Sequence, residues 1–294
     1  MKNPSWGMKT NQHNIFFSDL FTIKRVYKKT FGFKPDLDNP ALLTEKIQWL
    51  KLNDRSTLHT VCADKIAVRK HVAQKIGAEY LIPIFSVYDS VDELSLESLP
   101  DEPFIIKTNH DSGGGISFRN KNDIDIEDLK RSLNERLAVN HYNVSGEWPY
   151  KDIPPRILVE KLLVTSAGGI PNDYKVHCFN GRAQFIGVDV KTAESHHRNY
   201  YDPSWASLDF EWPSGKCPRG HEVEKPPQLV ELIRLAEKLS ADFCYVRIDF
   251  YLTSYRILFG EITFYDTGGF GRFSPAAWDG KLGELLDLHR SISK

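Results

Sequence analysis

Hydrophobic and polar residues recur along the chain with two different periods, and each period predicts one kind of element. Apolar residues repeat every three or four positions within residues 1–80, which predicts a mainly helical N-terminal region. Beyond Leu81, short runs are wholly apolar or alternate with period two, which predicts strands such as Phe104–Thr108 and Val246–Leu252. Asn180-Gly181 lies between two such runs and indicates a hairpin. Hairpins mixed with helices predict an α+β protein rather than a doubly wound parallel sheet.

Length and charge narrow the classes of protein. The chain has 294 residues, and we divide it into residues 1–80, 81–163 and 164–294. A formal net charge of −1 argues against a nucleic-acid binder. The four cysteines form no Cys-x-x-Cys pair, which predicts no disulfide framework and favours a reducing cytoplasm. No apolar run reaches the length of a membrane span, and the polar N-terminal residues do not predict a secretory signal.

Charged residues occupy alternate positions in one predicted hairpin. Arg247 and Asp249 lie in its first strand, and Glu261 and Thr263 lie in its second, predicted from Ile257 to Phe264. With an odd-numbered loop, the even spacing would place both carboxylates and Thr263 on one face, with Arg247 one pleat away. Two adjacent carboxylates repel unless a cation lies between them, and hard oxygen ligands suit Mg²⁺ that holds phosphates. The alternative is a surface hairpin with solvated charges.

A glycine-rich segment follows the predicted strand that contains Lys107. It reads Ser112-Gly113-Gly114-Gly115. Consecutive glycines let backbone N–H groups approach anionic oxygens, and the lysine adds a point charge. No Lys-Ser/Thr pair follows these glycines, so the segment is not a Walker loop. It is therefore either a phosphate-binding loop or an ordinary turn.

Three further polar segments have both a functional and an ordinary interpretation. Lys65 and Arg69 lie four residues apart and share one face of a predicted helix, which is more often a solvated basic edge. Glu160-Lys161-Leu162-Leu163 ends a strand, where exposed backbone groups can bind an adenine edge, although Glu160 and Lys161 also suit a surface pair. Asp173 begins the next strand and could accept ribose hydroxyls or simply form a turn.

The order of these segments is more specific than any one of them. It resembles the ATP-grasp superfamily over about residues 60–275. Several motifs are similar to its TupA-like branch, which is named for teichuronopeptide synthesis and occurs among cell-surface polysaccharide genes. The resemblance implies an ATP-grasp fold in which two α+β subdomains clamp ATP. A mainly helical N-terminal region precedes these subdomains in the chain. The similar motifs are Leu43-Thr-Glu-Lys-Ile-Gln-Trp-Leu50, Lys107-Thr-Asn-His-Asp-Ser-Gly113, Glu147-Trp-Pro-Tyr150, Arg198-Asn-Tyr-Tyr-Asp202 and Gly260-Glu-Ile-Thr-Phe264.

The resemblance implies which residues bind the nucleotide. Lys65 and Lys107 would contact the α- and β-phosphates, and the loop Ser112–Gly115 would close over the triphosphate. Glu160 and the backbone of Lys161, Leu162 and Leu163 would hold adenine. Asp173 would bind the ribose.

The resemblance also implies the catalytic and metal-binding residues. Asp249 and Glu261 would ligate Mg²⁺, and Arg247, with Lys107, would act on the γ-phosphate. Many ATP-grasp enzymes have Asn as a further ligand where this chain has Thr263. Beyond the residues shared with the family, Arg198 lies in a predicted polar connector that begins at His196. Arg198 either grips a carboxylate or phosphate of the acceptor or belongs to an ordinary exposed loop. The residues expected to contact the acceptor substrate are Lys175, Arg198, Gly268 and Gly269.

The implied activity is that of an ATP- and Mg²⁺-dependent carboxylate–amine ligase. ATP would phosphorylate a carboxylate, and an amine would displace phosphate to form an amide, with a sugar acid or amino acid on a glycan or its precursor as one substrate. One alternative is a kinase that phosphorylates a sugar hydroxyl, with His196, His197 or Asp202 as its base. Another is a glycosyltransferase that uses nucleotide-sugars, which would leave Lys107 and Glu160 unexplained.

Overall fold

The computed structural model describes residues 10–165, 168–191, 195–253 and 256–289, with side chains described from residue 18 onward. Within these ranges the helices are α1 Thr10–Phe31, α2 Leu43–Asn53, α3 Thr57–Ala63, α4 Val68–Lys75, α5 Ile126–Leu137, α6 His141–Ser145, α7 Leu229–Ser240 and α8 Ala277–Leu285. The strands are β1 Ile84–Tyr88, β2 Phe104–Thr108, β3 Ile116–Phe118, β4 Ile157–Lys161, β5 Asp173–Phe179, β6 Arg182–Lys191, β7 His196–Tyr201, β8 Ser207–Leu208, β9 Tyr245–Leu252 and β10 Ile257–Thr263.

The strands form two antiparallel sheets, each built from one stretch of the chain. The first sheet has the order β1-β4-β2-β3, and the second has the order β10-β9-β5-β6-β7-β8. The chain leaves the first sheet at Lys161 and enters the second at Asp173. The domain boundary predicted after residue 163 lies in this connection. None of the described helices is long and apolar enough to cross a membrane.

Two hydrophobic cores support these sheets. Leu129 and Leu133 of the amphipathic helix α5 pack against the first sheet. The larger core lies on the second sheet, where α7 contributes Leu232, Leu235 and Leu239. Helix α2 adds Leu43, Ile47 and Leu50 to this same core, so the N-terminal helices pack against the second sheet.

The hairpin of β9 and β10 confirms the predicted shared face for a different reason. Leu252 pairs with Ile257, so the connection contains four residues rather than an odd number. That loop alone would move Glu261 to the wrong face. A β-bulge at Gly260 shifts the register by one residue, which places Glu261 directly opposite Asp249.

The polar connector predicted from His196 is wrong, because these residues begin strand β7. Arg198 lies opposite Asp189 of β6 in the ladder between the two strands. Apolar periodicity cannot detect such a strand, because its first residues are His, His and Arg. The consequence is that Arg198 lies within the second sheet rather than in a loop.

Candidate active site

One face of the second sheet carries charged residues that lie directly opposite one another in adjacent strands. Lys175 of β5 is opposite Asp249 of β9, which is opposite Glu261 of β10. Arg247 lies two residues before Asp249 and is opposite Thr263. Residues two apart in a strand point to the same side, so antiparallel pairing brings these five side chains together.

Arg247 is the centre of this cluster. Its guanidinium donates to both carboxylate oxygens of Asp249, with Nε–Oδ1 and Nη2–Oδ2 distances of 2.7 Å. It also lies 3.0 Å from an oxygen of Glu261 and 3.0 Å from one of Asp266. Burial opposes the charge of Arg247, but these carboxylates raise its pKa well above the ordinary value. Because three carboxylates hold it, the guanidinium has a fixed orientation.

Lys175 links the metal-ligand candidates to the ribose candidate. Its Nζ donates to Asp249 at 2.8 Å and to Asp173, and it lies 3.8 Å from Asp189. Burial would raise the pKa of Asp249, but Arg247 and Lys175 lower it below the ordinary value. Asp249 is therefore a carboxylate that stays ionised at neutral pH.

The cluster contains more negative than positive charge. Burial, and next the repulsion from Asp249, raise the pKa of Asp173 to about 6. One carboxylate oxygen each of Asp173 and Asp266 is buried without a hydrogen-bond partner among the described residues. A divalent cation would neutralise an excess of this size. The five carboxylates are Asp173, Asp189, Asp249, Glu261 and Asp266, and the three cations are Lys175, Arg198 and Arg247.

The donor set near the hairpin suits Mg²⁺ in its chemistry. Asp249, Glu261 and Thr263 offer carboxylate and hydroxyl oxygens, which are the ligands that hard cations prefer. Oδ1 of Asp249 accepts one hydrogen bond from Arg247, and Oδ2 accepts one each from Arg247 and Lys175, so Oδ1 retains a lone pair for a metal ion. In the described part of the chain, no three His, Cys, Asp or Glu residues form a metal-binding group by themselves.

A cleft of about 320 Å³ collects most of the predicted nucleotide-binding residues between the two sheets. The first sheet contributes Lys107 and the glycine loop, and the second contributes the carboxylate cluster. Lys65 reaches the cleft from the segment before α4. The predicted residues that line this cleft are Lys65, Lys107, Ser112, Gly113, Gly114, Gly115, Asp173, Lys175, Asp249 and Glu261.

Packing requires glycine at only one of the three glycine positions of the loop. A Cβ atom on Gly115 would lie 2.7 Å from the carbonyl oxygen of Ile106, so packing requires glycine there. A Cβ on Gly113 or Gly114 would meet no atom within 4 Å, and neither residue has a positive φ. The described structure therefore gives no steric reason for glycine at these two positions. Lys65 holds the start of the loop by donating to the backbone carbonyl of Asp111.

Glu160 forms a buried ion-pair centre beside this cleft. Lys107 Nζ lies 2.5 Å from one of its carboxylate oxygens, and Arg69 Nη1 lies 3.2 Å from the other. The sequence did not distinguish Arg69 from a solvated basic residue, although its position four residues after Lys65 was a usable signal.

Two backbone amides of the segment predicted to bind adenine already donate to other carbonyls. The backbone N–H of Lys161 donates to Pro83, and that of Leu162 donates to Pro103. These two amides are occupied because β4 ends between neighbouring segments of the first sheet. Of the predicted amides, only that of Leu163 donates to no backbone carbonyl within the described residues. Carbonyl oxygens and the Leu163 amide are then the backbone groups available to a base.

A second cavity, of about 740 Å³, meets the first cleft. Ser112 and Glu261 line both spaces, while Arg247, Thr263 and Gly268 line the second. Its outer wall comes from α1 and α6, and its floor comes from the segment between residues 265 and 270. The two spaces therefore join at the charged end of the β9–β10 hairpin.

Three of the four residues predicted to contact the acceptor do not line this cavity, and Gly268 does. Arg198 donates to both oxygens of Asp189, so its guanidinium is already engaged. A Cβ on Gly269 would lie 2.5 Å from the Gln48 side chain, so close packing against α2 explains this glycine. Lys175 lines the nucleotide cleft instead.

The sequence analysis missed several residues of this cavity. Buried Lys51 donates to the Gly268 carbonyl oxygen at 2.6 Å, and burial lowers its pKa to about 8. Its position beside apolar Ile47 and Leu50 on one face of α2 was a signal of a buried lysine. Asp266 had no such signal, because it follows the last strand in an irregular turn.

Comparison with protein families identifies the chain as an ATP-grasp protein. The family model of the TupA-like ATP-grasp proteins matches residues 45–287. The chain belongs to this family, which confirms the resemblance found in the sequence and the predicted α+β fold. A search of curated proteins found no match.

Similar solved structures include D-alanine–D-alanine ligase from Bacillus anthracis. At 16% identity and a TM-score of 0.41, the alignment covers 69% of this chain and 57% of that enzyme. For the same enzyme complexed with ATP, the identity is 15% and the TM-score is 0.45, and the alignment covers 79% of this chain and 67% of that enzyme. A third similar structure is the ATP-grasp ligase PsnB complexed with a phosphomimetic variant of minimal precursor, Mg and ADP. Its identity is 9% and its TM-score is 0.42, and the alignment covers 85% of this chain and 66% of that ligase. The chain thus spans 57% of the first of these structures. The family match, and not these structures, identifies the chain.

Proposed function

We propose that this protein is an ATP- and Mg²⁺-dependent ligase that joins a carboxylate to an amine through an acyl phosphate. The observation that carries the proposal is the junction of the two spaces at Glu261, beside the fixed guanidinium of Arg247. A phosphoryl group at this junction would be accessible from the nucleotide cleft and from the larger cavity. Such an arrangement suits transfer of the γ-phosphoryl group to an acceptor.

The nucleotide would lie in the cleft between the two sheets. Lys65 and Lys107 would bind its phosphates, and the glycine loop would cover them. Support comes from Gly113 and Gly114, whose lack of side chains has no other structural reason and would let backbone N–H groups approach phosphate oxygens. Asp173 would accept hydrogen bonds from the ribose.

Asp249, Glu261 and Thr263 would hold the metal ion. Mg²⁺ normally has six oxygen ligands and retains substrate phosphates and water among them, so three protein oxygens are sufficient. When bound, the ion would neutralise charge on the phosphates and on the transferred phosphoryl group. The excess negative charge of the carboxylate cluster supports this assignment.

The residues of the chain would then act on the developing charge. An oxygen of the acceptor carboxylate would attack the γ-phosphorus, and ADP would leave. Arg247 would stabilise the charge on the phosphoryl oxygens, and its three carboxylate contacts would keep it in place. The amine would next attack the acyl carbon and release phosphate. Because an acyl phosphate hydrolyses readily, the glycine loop would have to exclude water.

The acceptor would occupy the second cavity. Its volume corresponds to about 25 molecules of liquid water, which leaves room for a sugar residue as well as an amino acid. Most of its lining residues have polar side chains, and Lys51 and Glu147 place buried charges of both signs on its walls. These features support an acceptor of the glycan-precursor class that carries an acid or amine.

One observation favours a kinase as a second candidate. His141 lines the same cavity, and its buried Nε2 has no hydrogen-bond partner among the described residues. A kinase that phosphorylates a sugar hydroxyl needs a base, and this imidazole would be available. The bases suggested from the sequence, His196, His197 and Asp202, do not line the cavity.

Hydroxylamine trapping separates the two candidates. ADP release is measured across panels of sugar acids, amino acids and amines, with and without hydroxylamine. A ligase should form a hydroxamate from the acid alone, and Glu261→Gln should block its formation. A stable gain of one phosphoryl group on the acceptor, found by mass spectrometry, would instead establish the kinase. Arg247→Lys should slow amide formation strongly, since a point charge does not replace the bidentate contact.

A further inference from the structure

Helix α1 has one face buried in the protein and another that is exposed and strongly basic. Asp19, Ile23 and Tyr27 lie four residues apart and are buried. The exposed face carries an aromatic ring among cations that recur at intervals of three and four residues. We define this basic face as Phe21, Lys24, Arg25 and Lys28, together with Lys34 just beyond the helix.

The cations of the basic face have no internal counter-charge. In the described structure, none of Lys24, Arg25, Lys28 and Lys34 takes part in an ion pair. They line a groove of about 300 Å³ with Phe21 and Pro35. The chain as a whole has a net charge of −1, so this concentration of cations is local. Local unneutralised charge of this kind attracts an anionic partner.

The exposed ring indicates what kind of anion fits. Phe21 has 69% of its surface exposed in the middle of the lysines. An aromatic side chain on a basic helical face is typical of helices that lie in the interface of an anionic membrane, where lysines reach the headgroups and the ring enters the acyl boundary. We propose that the basic face docks this protein on the surface of an anionic phospholipid membrane.

The position of α1 adds an independent reason. The side of the helix away from Phe21, through Asp19, Ile23 and Val26, forms a wall of the 740 Å³ cavity. A membrane bound to the basic face would therefore lie one helix diameter from that cavity. The docking proposal does not depend on the ligase activity, and its test measures binding only.

The test is co-sedimentation of the full chain with large vesicles of phosphatidylcholine alone or with 30% phosphatidylglycerol. Binding is expected only with phosphatidylglycerol and should be lost in 0.5 M NaCl, because salt screens exposed charges. Each removed lysine charge should weaken binding about fivefold, so Lys24→Gln/Lys28→Gln should weaken it about 25-fold. Phe21→Ser should weaken it without changing the salt dependence.

The matched control is Lys70→Gln/Lys238→Gln, which removes two exposed helical lysines elsewhere on the protein. It should bind vesicles like the unaltered chain. Equal weakening by both double variants would overturn the proposal, as would absence of binding to phosphatidylglycerol vesicles. Binding to a 30-nucleotide single strand in place of vesicles would assign the basic face to nucleic acid and also overturn it. Thermal melting of each variant excludes unfolding as the cause.

Discussion

Protonation of Asp173 should control how tightly the protein binds a nucleotide. Asp173 lies beside Asp249 and opposite Asp189, and Lys175 is its one cationic partner among the described residues. Burial, and then Asp249, raise its pKa to about 6. If Asp173 accepts ribose hydroxyls, only the ionised form is fully competent. Nucleotide affinity should therefore decrease as the pH falls through about 6.

The magnitude follows from the pKa. At pH 5, one unit below it, about nine-tenths of the free protein has a protonated Asp173, so the apparent affinity should fall about tenfold, or about 1.4 kcal/mol. Stability changes in the other direction. The folded-state pKa lies above the ordinary value of 3.8, so this group contributes most stability below pH 3.8 and loses it as the pH rises through 6. At pH 7.5, Asp173→Asn should therefore stabilise the fold, by at most about 3 kcal/mol.

The assay is calorimetric titration of ADP with Mg²⁺ between pH 5.0 and 7.5, for the unaltered chain and for Asp173→Asn. The phosphates of ADP titrate equally in both experiments, so the ratio of the two dissociation constants isolates Asp173. This ratio should change about tenfold across the range. A constant ratio would refute the reasoning, whichever variant binds more tightly.

Five other substitutions test the site. Asp249→Asn removes the negative charge between two buried cations, so it should abolish turnover and destabilise the fold by about 3 kcal/mol. Glu261→Gln changes a side chain that is 45% exposed, so it should abolish turnover and leave the melting temperature unchanged. Gly113→Ala should weaken nucleotide binding and leave melting unchanged, while Gly115→Ala should lower the melting temperature because its Cβ meets Ile106. Lys107→Ala should weaken ADP binding by about 1–3 kcal/mol.

Three outcomes would contradict these expectations. Near-normal turnover with Glu261→Gln would remove that residue from the metal site. Equal melting temperatures for Gly113→Ala and Gly115→Ala would show that close packing does not distinguish the two glycines. Unchanged calorimetric affinity of Lys107→Ala would place the phosphates away from the lysine.

The charged hairpin shows how far the sequence could predict the site. Alternation correctly placed Arg247 and Asp249 in one strand, and the even spacing placed Glu261 on the same face. The structure reaches that face through a four-residue loop and a bulge, two departures that compensate each other. Gly260 is an isolated glycine within a strand, which is a sequence signal of a bulge. The structure gives the steric reason, since a Cβ atom there would lie 3.1 Å from the carbonyl oxygen of Asp249.

Other contacts of the site could not be predicted from local sequence patterns. Asp266 reaches Arg247 from an irregular turn, and Lys51 reaches Gly268 from a helix more than 200 residues earlier in the chain. Such contacts depend on tertiary packing, which periodicity does not encode. Arg198 was predicted to contact the substrate because of its charge. In the sheet its guanidinium instead donates to Asp189, a residue that was not predicted to be in the site.

Without a nucleotide, the cationic side chains that we assign to the triphosphate already form ion pairs with carboxylates of the protein. Lys65 contacts Asp111, Lys107 contacts Glu160, and Arg247 contacts Asp249. Binding of ATP would therefore exchange one anionic partner for another and would not fill an unneutralised cationic site. Exchange avoids leaving a buried charge unpaired, which is the costly alternative.

The same exchange explains why the metal and the nucleotide should enter together. A cation that binds Asp249 would share this carboxylate with Arg247 and Lys175, and the phosphates would give these two cations a further anionic partner. Phosphates without the metal would add anions to a cluster that already has an excess of them, and the metal would offset that excess. The metal thus lowers the electrostatic penalty of phosphate binding, and because linkage is reciprocal, the phosphates favour metal binding to the same degree. The carboxylate excess around Lys175 and Arg247 is the structural origin of that coupling.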